Sequence, residues 1–238
     1  MNTALIFAGG TGQRMNTRAK PKQFLELHGK PIILYTLEHF EHHPEIDNIV
    51  VVCLESWIDE LRILLRRYDI KKVSRIVAGG GTGHESIYNG LQALSGVCSA
   101  DDIVLIHDGV RPLITEGLIS ANIATALEHG TAITVEPARE SVIQSWSGER
   151  IDSVPTRDTI YIAKAPQTFR FELIWEYYQR SYNDNLMCID SSHLLSIYHV
   201  EMHTVKSPPN NIKITSPADY YIFRALHEAI ENQQILGI

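Results

Sequence analysis

The residues best suited to chemistry stand in one early loop, Ala8-Gly9-Gly10-Thr11-Gly12-Gln13-Arg14-Met15, followed by Pro21-Lys22-Gln23-Phe24. Glycines carry no Cβ, so several backbone N–H groups can close around one anion. Arg14 and Lys22 add the fixed positive charge that a polyphosphate requires. The loop reads as a cradle for a nucleoside triphosphate. Two other glycine loops fit less well. The G-x-x-x-x-G-K-[ST] string of a P-loop is absent. The dinucleotide fingerprint G-x-G-x-x-G loses its third glycine to Met15, and no acidic residue is clearly placed about 20 residues further on. A glycine-rich turn that only connects two elements is the plainer alternative, and Arg14 with Lys22 weighs against it.

The elements that must hold such a loop are legible from periodicity. Ala4–Phe7 is an apolar run of strand length, and Pro31 opens a helical pattern. Asn48–Leu54 and Val73–Ala78 read as further strands, with a helix over Trp57–Tyr68 between them. A second glycine loop, Gly79-Gly80-Gly81-Thr82-Gly83, leads into a helix over Glu85–Leu94. Ile103–His107 is a fourth strand ending at Asp108, followed by a helix at Glu116–His129 and a strand at Ala132–Val135. Helices at Phe171–Tyr182, Asp190–Tyr198 and Pro217–Asn232 and a strand-like Glu201–Val205 complete the pattern. This alternation predicts an α/β, Rossmann-like, mainly parallel sheet with helices on both faces. Ligands of such sheets sit beyond the carboxyl ends of the strands, where both glycine loops and Asp108 fall.

Bulk properties narrow the class. A chain of 238 residues with 44% hydrophobic and 21% charged residues can bury a substantial core, and no linker or repeat divides it, so one domain is expected over 1–238. The net charge of −7 argues against a nucleic-acid surface. Cys53, Cys98 and Cys188 lack metal-ligand spacing and suit reduced thiols. With no signal-like start and no long apolar run, a cytoplasmic protein without membrane partners is expected.

The motif Ala8-Gly9-Gly10-x-Gly12-x-Arg14-Met15 with Pro21-Lys22-Gln23 resembles the signature of the cytidylyltransferases that act on sugar-alcohol phosphates, the methylerythritol-phosphate and ribitol-phosphate enzymes. The resemblance continues through His107-Asp108-x-x-Arg111-Pro112, Ala165-Pro166-Gln167 and Asn211-Ile212-Lys213-Ile214-Thr215. It implies transfer of CMP from CTP to a phosphorylated polyol, ribitol 5-phosphate favoured, with Mg²⁺ as cofactor. An acceptor phosphate, with a second pKa near 6, is largely dianionic at neutral pH and needs no general base. Positioning and charge stabilisation carry the rest. By this resemblance Ala8, Gly9, Gly10 and Gly12 contact the nucleotide, and Gly80 and Ser86 read the base. Arg14, Lys22 and Lys213 neutralise phosphate charge. Asp108 holds the metal, and its replacement by asparagine is expected to leave the thermal transition nearly unchanged. Arg111, Ser141, Arg157 and Lys164 face the acceptor. On residue type alone, Asp108 also suits a helix cap and Lys213 a solvated surface charge.

The segment 140–155 reads as two short strands, Val142-Ile143 and Ile151–Val154, flanking the turn Trp146–Glu149. Composition makes it a surface hairpin; the resemblance makes it a dimerisation arm that carries Ser141 to the acceptor site of a second subunit. The chain also departs from the family pattern. Gly81 and Gly83 replace an acidic or polar residue and an arginine, and Ala165 and Ile189 replace threonines. The changes at Gly81 and Gly83 bear on the strictness of the CTP preference, whereas the hydroxyls lost at Ala165 and Ile189 point away from methylerythritol phosphate towards another polyol phosphate such as ribitol or glycerol phosphate. A dinucleotide-dependent dehydrogenase, a non-catalytic nucleotide-binding module and a sugar-nucleotide pyrophosphorylase are the competing readings.

Overall fold

The computed structural model describes residues 1–10 and 20–236. In chain order they form β1 (Asn2–Ala8), a hairpin of β2 (Glu26–Leu27) and β3 (Lys30–Pro31), α1 (Ile32–His42), β4 (Asn48–Cys53) and α2 (Ile58–Arg67). Next come β5 (Val73–Ala78), α3 (Gly83–Leu94), β6 (Ile103–Asp108), α4 (Glu116–His129), β7 (Thr131–Pro137) and β8 (Tyr161–Arg170). The chain closes with α5 (Phe171–Asn183), α6 (Ser191–Ile197), β9 (Thr204–Lys206) and α7 (Pro217–Leu236).

Seven strands make one sheet in the order β5-β4-β1-β6-β8-β7-β9. β1 lies parallel between β4 and β6, and β5 continues the parallel run. Alternation along each strand sends side chains to opposite faces. Ala4, Ile6, Ile49, Val51, Ile103 and Leu105 meet α1, α2 and α4 on one side. Leu5, Val50, Val52, Val104 and Ile106 meet α3, α5 and α6 on the other. Both faces are covered, which is why β4 and β6 are buried at every position and read as unbroken apolar runs. A smaller cluster of Leu27, Ile32, Val110, Leu113, Ile214 and Phe223 seats α7 against the β2–β3 hairpin.

Three features differ from the sequence reading, the first being the β2–β3 hairpin before α1. β8, a ten-residue strand antiparallel to both β6 and β7, was not expected. Pro166, Lys164 and Gln167 interrupt its apolar pattern, and a proline argues against a central strand when only the sequence is read. In the segment 140–155, two strands are expected, but the backbone forms only the bridge between Gln144 and Ser153. Side chains take several of the other backbone groups: Ser145 Oγ donates to the carbonyl of Arg150 at 2.5 Å, and Asp152 accepts from the N–H of Trp146 at 2.7 Å. Such local bonds compete with a strand ladder. Among the described residues, no helix is long and apolar enough to cross a membrane.

Candidate active site

The register of the sheet brings the chemistry to one edge. Ala8 pairs with Cys53, Cys53 with Ala78, and Phe7 with Asp108, so four strands end side by side. The two glycine loops then meet backbone to backbone. A Cβ on Gly79 would stand 3.1 Å from the Cα of Gly9, and one on Gly80 would strike the Cβ of Glu85 at 2.3 Å. Only glycine permits this approach. Thr82 and Glu85 close a capping box at the start of α3, which fixes the second loop over the first. Ser86 is buried; its hydroxyl donates to the carbonyl of Thr82 at 2.8 Å and accepts the N–H of Gly80 at 3.1 Å. Gln23, buried behind Lys22, donates to the carbonyl of Ala8 at 2.5 Å.

These residues line a cleft of about 380 Å³ walled by Ala8, Gly9, Gly10, Lys22, Gly80, Ser86, Asp108 and Lys213. A second cleft of about 300 Å³ lies beside it, walled by Arg111, Lys164, Ala165, Gln167, Ile189 and Asp190. Phe7, Gly83, Asp108 and Lys213 belong to both. The structure therefore sets two small-molecule spaces against one carboxylate and one ammonium.

Asp108 is almost wholly buried. Its Oδ2 accepts from Nε of Arg111 at 3.1 Å, and its Oδ1 faces Nζ of Lys213 at 2.5 Å in an ion pair rather than an aligned hydrogen bond. Burial alone would raise its pKa, but Lys213 and then Arg111 outweigh it and hold the carboxyl well below its usual range. α4 is capped by Thr115, so Asp108 is no helix cap. Below it, burial pushes the His107 imidazole down to about 3; the neutral ring lies with Nε2 3.2 Å from the carbonyl of Arg111 and so braces the turn. Arg111 also donates to the carbonyl of Asn211 at 2.7 Å, joining this turn to the segment that carries Lys213.

Lys164 lines the second cleft, paired with Glu136 and donating to the carbonyl of Asn211 at 3.3 Å. Ser141 and Arg157 are exposed and line neither cleft of their own chain. Gly12 and Arg14 lie outside the described residues. The sequence reading assigned no role to Gln23, Thr82, Gln167 or Asn211, although Gln23, Gln167 and Asn211 stand within its motifs. Gln167 Nε2 donates to Asp190 at 3.1 Å and its carbonyl accepts from Ser192, which ties β8 to the cap of α6.

A glycine-lined nucleotide cleft, opening on a second polar cleft across a shared carboxylate–ammonium pair, is the site of a nucleotidyltransferase. The profile of the 2-C-methyl-D-erythritol 4-phosphate cytidylyltransferase (IspD) family matches residues 2–229, and the chain belongs to that family. It is 46% identical, over the full length of both, to a ribitol-5-phosphate cytidylyltransferase of Streptococcus agalactiae serotype Ia. It is 36% identical to a 2-C-methyl-D-erythritol 4-phosphate cytidylyltransferase of Clostridium botulinum strain Loch Maree, over 96% of this chain and 98% of the other. The crystal structure of 4-diphosphocytidyl-2C-methyl-D-erythritol synthase from Anaerococcus prevotii superposes with a TM-score of 0.83 at 28% identity, over 95% of this chain and 96% of that one.

Proposed function

We propose that the chain, as one catalytic domain over residues 1–238, transfers CMP from CTP to ribitol 5-phosphate and releases pyrophosphate and CDP-ribitol. The observation that carries this reading is the pair of clefts meeting at Asp108 and Lys213. A phosphate oxygen of the acceptor attacks the α-phosphorus, the bond to the β-phosphate breaks, and the electron pair leaves with pyrophosphate. The glycine loops hold the triphosphate by backbone N–H groups. Lys22 and Lys213, with Arg14, neutralise the charge that gathers at the α-phosphate and on the leaving group. Gly80 and Ser86 support the base-binding loop, and Arg111 keeps Asp108 oriented.

Mg²⁺ fits this donor set. Such an ion commonly takes one or two carboxylates together with phosphate oxygens, and Asp108 lines both clefts with its Oδ1 paired to Lys213, an ammonium exposed enough to turn aside to a phosphate. Bound there, it would supply further charge neutralisation between the phosphates. The acceptor cleft is walled by Lys164 and is completed, in a homodimer, by Ser141 and Arg157 from the neighbouring chain. Exposed Trp146, Ile151 and Val154 along the arm supply an apolar surface for that contact. A need for CTP, together with cysteines that lack metal-ligand spacing, supports a cytoplasmic location.

Ribitol phosphate is favoured over methylerythritol phosphate because the ribitol-named relative is the more similar of the two along the whole chain. Ala165 and Ile189, where threonines are lost, both stand in the wall of the second cleft. The family profile carries the second reading, the methylerythritol-phosphate reaction. Incubation with CTP, Mg²⁺ and each of ribitol 5-phosphate, methylerythritol 4-phosphate and glycerol phosphate, read by product mass, decides. A CDP-ribitol product with the highest kcat/KM is expected; preferential turnover of methylerythritol phosphate would overturn the assignment.

A further inference from the structure

A cleft of about 800 Å³ that shares no lining residue with the two catalytic clefts gathers His28, His39, His42, His43 and His227 with Glu38, Glu116 and Glu231. Most of these histidines are already engaged or apart: His39 and His43, for example, bond the carbonyls of Pro112 and Glu116. Three side chains converge. Among the described residues, His28, His227 and Glu231 form the group whose ligand atoms all lie within 4.8 Å of one another. We propose that these three residues bind a zinc-class divalent transition-metal ion that joins the β2–β3 hairpin to α7.

His227 and Glu231 are one helical turn apart on α7, so both project from the same face. Nδ1 of His227 is withdrawn from solvent, makes no hydrogen bond, and stands 3.5 Å from Oε2 of Glu231. With ligand bonds of about 2.1 Å, the edge of a tetrahedral zinc site is about 3.4 Å, so this pair already has the spacing of two ligands. His28 occupies the tip of the hairpin at φ 51, beside Gly29 at φ 75. Two positive φ values make a turn that asparagine, aspartate or glycine serves better than histidine. The exposed side chain of His28 already holds a ring nitrogen within 4.8 Å of both ligand atoms of the pair. Imidazole and carboxylate together suit zinc, cobalt or nickel and not magnesium, which favours an all-oxygen set.

The hairpin is already fastened beneath the proposed ion. Tyr35 donates to the carbonyl of Leu27 at 2.8 Å, and Tyr220 of α7 donates to the carbonyl of Glu26 at 2.7 Å. The metal adds a third fastening at the tip, between the element that follows Lys22 and the helix that follows Lys213. It is separate from the carboxylate assigned to Mg²⁺ and does not depend on which acceptor is used.

The test is zinc titration of the full chain in excess Mg²⁺, against a chromogenic chelator, with Co²⁺ absorption as a reporter of tetrahedral coordination. One equivalent is expected to bind with a visible-range cobalt spectrum and to raise the melting temperature. His28→Gln, exposed in the turn and harmless to the core, should weaken binding more than tenfold, as should His227→Gln and Glu231→Gln. His42→Gln, in the same cleft, should bind as the parent does. Equal affinity in the parent and in His28→Gln, an equal loss in His42→Gln, or no bound zinc would each overturn the proposal.

Discussion

Nζ of Lys213 lies 2.5 Å from Oδ1 of Asp108, joining the end of β6 to the segment that leads into α7. The pair stands at the wall shared by the two clefts. Arg111 completes it from the opposite side of the carboxylate. A triphosphate entering the first cleft meets an ammonium that is held in place but half-exposed, and so able to turn towards a phosphate.

Asp108→Asn tests both roles of that carboxylate. Removing one partner of a buried ion pair costs roughly 3–5 kcal/mol, and the exposure of Lys213 keeps the loss near the lower end. The melting temperature should therefore fall, contrary to the expectation from sequence that folding would be nearly untouched. Turnover should fall by at least a hundredfold at a temperature where the variant remains folded. An unchanged melt, measured by calorimetry, would mean that the pair is not formed in solution.

Lys22→Ala should lower kcat/KM by about 2–4 kcal/mol, the scale of a lost electrostatic donor. Lys22 sits at the cleft wall outside the three apolar clusters, so the thermal transition should move little. Steady-state kinetics with CTP varied give the answer, and full activity would remove Lys22 from the phosphate cradle.

The glycines of the two loops should differ sharply. A Cβ at Gly80 collides with Glu85 at 2.3 Å, whereas a Cβ at Gly10 meets nothing within 4 Å among the described residues. Gly80→Ala should thus cost about 1–3 kcal/mol of stability through overpacking and raise the KM for CTP by deforming the capping box. Gly10→Ala should fold as the parent does. Denaturant titration of the two variants side by side distinguishes them.

Asp219 governs a pH-dependent clasp. Its carboxylate accepts from the N–H and hydroxyl of Thr215 at 2.8 Å each and from the N–H of Ser216 at 2.7 Å. Burial would raise its pKa, but these bonds hold it below the usual range of an aspartate. A depressed carboxyl adds stability that is present above the unfolded pKa and is lost as pH falls through the lower folded value. The melting-temperature gap between the parent and Asp219→Asn should be widest near neutrality and close below about pH 4. A gap that stays constant with pH would assign the clasp no charge.

Ala165→Thr with Ile189→Thr should raise turnover of methylerythritol phosphate relative to ribitol phosphate. Both positions line the acceptor cleft, and Ile189 is 88% exposed there. A hydrogen bond to a charged group contributes about 1.5–3 kcal/mol, so even one restored hydroxyl should change the kcat/KM ratio more than tenfold. A ratio that does not move would place acceptor choice elsewhere in the wall.

The amino-acid sequence by itself determined the parallel half of the sheet, because β1, β4 and β6 are buried on both faces and their apolar runs are unmistakable. It also singled out residues that the fold brings to one cleft, since glycines, Lys22, Asp108 and Lys213 are specific residue types at fixed places in the motifs. Only the tertiary structure decided β8, where Lys164 meets Glu136 and Asn211, the carbonyl of Pro166 accepts from Thr134, and Gln167 bonds Asp190, instead of following a local period. It alone decided that Asp108 is a buried ion-pair centre, because Arg111 and Lys213 reach it from different segments. The approach of His28 to α7 is of the same kind: a turn residue and a helix residue become neighbours only once the hairpin packs on Phe223 and its cluster. Local pattern fixes which face a residue takes; contacts between distant segments depend on how the faces are stacked.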